Sequence, residues 1–169
     1  YLLFRPGAPQ KSLTTSPAPN AAVAETEKLK PSPSYPIKLE QIASEQGFAG
    51  TTVTCILQDR KGFLWIGSDD GLNRYDGYRF TAYRHNPAGP HSISHNVITA
   101  MYEDKSGILW IGTEGGGLNR FDRATEQFRA YRHDPQNSQS LSHDVVRAIA
   151  ADQTGAIWIG TEGGGLNRF

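Results

Sequence analysis

The chain has 169 residues, and its 17 Lys and Arg balance 17 Asp and Glu to a formal net charge of zero. That balance gives no electrostatic reason to expect nucleic acid as a partner, and no apolar run reaches the roughly 18–20 residues that cross a bilayer, so no membrane contact is expected from this segment. The single cysteine, Cys55, excludes an intramolecular disulfide and a multi-cysteine zinc site. The length suits one domain with a tail.

Seventeen of the 18 glycines follow residue 46, whereas seven of the 10 prolines lie at or before Pro36, so the chain has two compositional parts. Residues 1–35 are rich in Pro, Ala, Ser and Thr. Prolines such as Pro6, Pro9, Pro17 and Pro19 donate no backbone hydrogen bond and favour extended, solvated chain. A linker is expected there, with a short helix over Ala21–Leu29 as the alternative. The chain begins with Tyr1, which fits removal of a signal peptide or a truncated chain.

From residue 36 the sequence repeats. Trp110–Phe121 and Trp158–Phe169 are the same twelve residues, and Trp65–Tyr75 is a shorter copy. The tryptophans Trp65, Trp110 and Trp158 are 45 and 48 residues apart. Trp-Ile-Gly recurs around them, with glycines at Gly67, Gly112 and Gly160. In the second unit four short runs read as strands: Val97–Glu103, Ile108–Thr113, Leu118–Asp122 and Gln127–Arg132. The first is apolar on both faces, as a strand buried on both sides must be. Asp59–Gly62, Asp104–Gly107 and Asp152–Gly155 put Asp first and Gly fourth, the pattern of a type I turn. Tyr75-Asp76-Gly77-Tyr78 predicts a two-residue hairpin.

Four antiparallel strands in each unit of this length describe the blade of a β-propeller. A solenoid is the rival, but its repeats are shorter and lack hairpin signals. The expected fold is therefore all-β: an incomplete β-propeller over 36–169, with a lone outer strand over 36–44, a first blade over 52–84, a second over 97–132 and a partial third over 145–169. Propellers need at least four blades, so the chain reads as a fragment. The lone strand is a candidate latch for the last blade of a closed ring.

The unit Asp-x-x-Gly-x-Leu/Ile-Trp-Ile-Gly-Thr-x-x-Gly-Gly-Leu-Asn-Arg-Phe resembles the repeat of the two-component regulator propeller family. Asp104, Gly107, Leu109–Thr113 and Gly116–Asp122 carry the match, with corresponding residues in the other two units. The resemblance covers residues 37–169. Ser68 replaces Thr, and Asp69-Asp70 replaces the longer Glu-Gly-Gly. It implies a sensor region, commonly seven-bladed, on the periplasmic or extracellular side of a bacterial inner membrane. A histidine kinase or diguanylate cyclase would follow in the same protein. The implied partners are a small molecule or glycan, the remaining blades and output domains of the same chain, and a second copy in a full-length homodimer.

Strand direction sorts the loops. The fourth-to-first and second-to-third connections share one rim, and it carries Asp69, Asp70, His95, Asn96, Glu114, His143, Asp144 and Glu162. The opposite rim carries Arg60, Lys61, Lys105 and Arg123. Propeller ligands bind where loops of several blades converge, so the His- and acid-bearing rim is the candidate ligand site. Features copied into every unit are expected to serve the fold. These include the Gly115–Gly117 and Gly163–Gly165 turns, the Asn-Arg pairs, and His85 and His133 beside Asn86-Pro87 and Asp134-Pro135. No catalytic residue, metal ligand or cofactor is expected: no nucleophile elbow or His-Glu-x-x-His motif occurs, and the acids lie at repeat spacing. Two other functions compete with the sensor, a protein-interaction scaffold and, more remotely, a propeller lyase.

Overall fold

The structure is a computed structural model that describes Lys38, Leu39 and residues 47–169. The expected linker over 1–35 and outer strand over 36–44 lie outside the described residues, apart from Lys38 and Leu39, which are exposed and carry no strand. Eleven strands follow, all within the compact unit Glu40–Phe169.

They form three antiparallel meanders in chain order. The first sheet is β1 (Val53–Gln58), β2 (Leu64–Ser68), β3 (Gly71–Tyr75) and β4 (Phe80–Tyr83); the second is β5 (Ile98–Glu103), β6 (Leu109–Thr113), β7 (Leu118–Asp122) and β8 (Gln127–Tyr131). The third is β9 (Val146–Ala151), β10 (Ile157–Thr161) and β11 (Gly165–Arg168). Across sheets β5 neighbours both β1 and β9, while β2 lies against β5 and β6 against β9. The sheets thus stack face to face with their first strands side by side, the arrangement of successive β-propeller blades.

Two cores fill the gaps. Trp65 and Leu72 of the first sheet pack with Ile98, Leu109, Ile111, Phe121 and Phe128 of the second. Trp110 and Leu118 of the second pack with Val146, Ile157 and Ile159 of the third. Trp65 is fully buried and Trp110 is 3% exposed. Sinking each such indole contributes about 2–3 kcal/mol. Each meets an aromatic edge-on across the gap, Trp65 with Phe121 and Trp110 with Phe169, both at 5.2 Å between ring centroids.

The turns are built as the Asp-x-x-Gly pattern predicts. The N–H groups of Gly62, Gly107 and Gly155 donate to the carbonyls of Asp59, Asp104 and Asp152 at 2.9, 2.9 and 3.1 Å. The same aspartates have a second role. Asp59, Asp104 and Asp152 accept the indole N–H of Trp65, Trp110 and Trp158 at 2.8, 3.0 and 2.9 Å. Their other carboxyl oxygens accept backbone N–H groups of the turn, as Asp59 does from Lys61 and Phe63. The two-residue hairpin expected at Asp76-Gly77 is instead a four-residue connection. Tyr75 pairs with Phe80, and Asp76 accepts from the N–H groups of Tyr78 and Arg79. The matching connection in the second sheet also has four residues, but that hairpin is one pair longer, Asp122 with Gln127.

The repeated Gly67 and Gly112 are needed for close approach. A Cβ on Gly67 would lie 2.8 Å from Ile98 Cγ2, and one on Gly112 would lie 2.6 Å from Val146 Cγ1. The missing side chain is the slot into which the next sheet inserts a β-branched residue. Overpacking a close-packed core costs about 1–3 kcal/mol, so Gly112→Ala is expected to lower stability by that amount in a urea unfolding curve.

Asp59 also binds across the first gap. Its side chain is fully buried and takes the Arg123 guanidinium of the second sheet at 2.5 Å, while Arg123 also reaches Glu103 at 2.9 Å. Burial works to raise the pKa of Asp59, but the hydrogen bonds from Trp65 and Arg123 and the Arg123 charge outweigh it, and the net shift is downward. A folded pKa below the unfolded value of about 3.9 gives a contribution that is complete above that value and lost as pH falls through the folded pKa. Asp59→Asn is therefore expected to cost about 1–3 kcal/mol at neutral pH. It should also flatten part of the acid-side fall in the urea midpoint, measured from about pH 5 down to about pH 2.

Candidate functional site

The two rims are assembled as strand direction requires. On one, the Gly71 N–H donates to Asn96 O, and the N–H groups of Gly115 and Gly117 donate to Asp144 O, so each second-to-third turn is tied to the start of the next sheet. On the other, Arg60 donates to the carbonyls of Asp104 and Lys105, and Lys105 Nζ donates to Gln153 O. The basic side chains of that second rim thus tie neighbouring turns together.

Most of the polar residues on the candidate rim hold the loops. Asp69 accepts from Thr51 N and Oγ1 and from Thr52 N at 2.8–3.1 Å. These bonds, led by the backbone N–H groups of Thr52 and Thr51, lower its pKa to about 2. Asp70 pairs with Arg84 at 2.7 Å. Asn96 and Asp144 accept the backbone N–H of His85 and His133 through their side chains. His95 and His143 each accept, at Nδ1, the N–H of Val97 and Val145, which puts the ring proton on Nε2. His85 and His133 turn Nδ1 to the carbonyls of Ile93 and Leu141, a turn-bracing role. The repeated asparagines Asn73, Asn119 and Asn167 likewise brace the segment ahead of each first strand, accepting from Ala49, Ser94 and Ser142 N. Arg74 reaches across the gap to Glu126 at 2.8 Å.

Glu114 and Glu162 are arranged differently. Both lie in second-to-third turns and are 46% and 58% exposed at the side chain, and Arg147 sits between them. Arg147 Nε donates to Glu162 at 2.7 Å, its Nη2 also contacts Glu162, and Nη2 reaches Glu114 of the neighbouring sheet at 3.3 Å. One guanidinium between two half-exposed carboxylates leaves a local charge of minus one and several unfilled acceptor positions.

A β-bulge aims that arginine. In each first strand one residue is skipped in the pairing with the second strand: Thr54 between Val53 and Cys55, Thr99 between Ile98 and Ala100, and Arg147 between Val146 and Ala148. A bulge frees one side chain from the ladder and redirects it. Thr99 turns its hydroxyl to Val146 O. At the equivalent place in the third sheet, Arg147 carries a charge to the rim. Arg147 is absent from the sequence expectation; the signal for it was a Thr, Thr, Arg series at one repeat position. Arg84, Arg132 and Arg147 on this rim also offset the acids, so it is mixed in charge and not plainly acidic. Among the described residues no group of three His, Cys, Asp or Glu is placed to hold a metal ion.

The two component regulator propeller family matches this chain three times, at residues 47–70, 92–115 and 140–163. Each match runs from the segment before a first strand to the second-to-third turn. Among solved structures, the extracellular domain of a proposed hybrid two-component system from B. thetaiotaomicron superposes with a TM-score of 0.68 at 29% identity, covering 77% of this chain and 20% of that one. Another extracellular domain from the same organism gives 0.64 at 33% identity, covering 78% and 18%. A 48-residue stretch is 48% identical to Histidine kinase P4 of Formosa agariphila, covering 28% of this chain and 4% of that protein. The chain spans about a fifth of the solved relatives it matches. Three copies of the two-component regulator propeller repeat therefore run through the described part of this chain, one on each of its three stacked sheets.

Proposed function

We propose that this chain is part of a ligand-sensing propeller on the periplasmic or extracellular side of a bacterial inner membrane, which passes its signal to a kinase or cyclase elsewhere in the same protein. The signalling context is supported by the likeness to extracellular domains of two-component systems. The observation that carries ligand binding is the Arg147–Glu114–Glu162 cluster. Arg147 departs there from the Thr54 and Thr99 of the other two sheets, on a rim where loops converge, and the polar groups of the cluster are half exposed. A guanidinium flanked by carboxylates offers both donors and acceptors, which suits a hydroxyl-rich small molecule or glycan. His143 Nε2 would add a contact from the same edge. The rim acts by binding; any signal then requires that the ligand favour one of two conformations.

A thermal-shift screen of glycans and small polar metabolites tests this. At a concentration of about 100 Kd a specific ligand stabilises the folded chain by about 2.7 kcal/mol. The expected result is a melting shift that Arg147→Ala and Glu162→Gln abolish and that Arg60→Ala, on the opposite rim, leaves in place. A shift abolished only by Arg60→Ala would place the ligand on the wrong rim, and chemical turnover of the ligand would replace sensing with the lyase reading.

A further inference from the structure

We draw no further inference here: the strongest candidate, the exposed apolar face of the first sheet around Val53 and Ile56, stands at the edge of the described residues, and nothing in the structure shows what covers it.

Discussion

A tryptophan indole buried between two sheets is the constraint from which the rest of this structure follows. A blade of four short strands is apolar on both faces and cannot be stable alone. Trp65 and Trp110 fill the gaps, yet each brings an N–H that is costly to bury without an acceptor. Asp59 and Asp104 supply that acceptor from the turn just before the strand. A single aspartate therefore closes the turn, holds the indole and, at Asp59, takes Arg123 from the next sheet. Turn geometry and packing between sheets are coupled through one carboxylate. That coupling explains why Asp-x-x-Gly and Trp-Ile-Gly travel together through the sequence.

The same economy governs the rims. A repeat that must tie each sheet to the next uses most of its loop polar groups for that purpose, as Asn96, Asp144, His95 and Asp69 show. Room for a separate role arises where one copy departs from the others at a position the ladder does not need. The bulge in each first strand is such a position, because its residue is already out of register. Thr99 uses that freedom to bond the next strand. Arg147 uses it to reach the rim and hold Glu114 and Glu162. A surface with binding chemistry can thus arise on a repetitive scaffold without disturbing the packing that every blade shares.

How much of this was legible beforehand depended on the range of the interaction. The strands expected at Val97–Glu103 and Gln127–Arg132 are observed as Ile98–Glu103 and Gln127–Tyr131, within one residue at each end, because apolar alternation and turn residues act locally. The sharing of rims followed from strand direction alone. The hairpin at Asp76-Gly77 was misjudged, since Asp76 folds its side chain over the Tyr78 and Arg79 N–H groups and takes two more residues into the loop. The three bulges were not read, because the polar Thr54, Thr99 and Arg147 mark one position of each first strand but alternation alone does not show that the ladder skips it.

The sequence by itself determined the repeat, its period, the four-strand plan of each unit and the membership of opposite rims, all of which rest on contacts between residues close in the chain. The tertiary structure decided which glycines are slots, which aspartates carry a buried indole, and which arginine stands between two carboxylates. Those assignments depend on residues about one repeat apart, such as Gly112 with Val146 and Glu114 with Arg147, brought together when one sheet lies on the next. Their physical cause is the shape of the gap between two blades, and that gap exists only after both have folded.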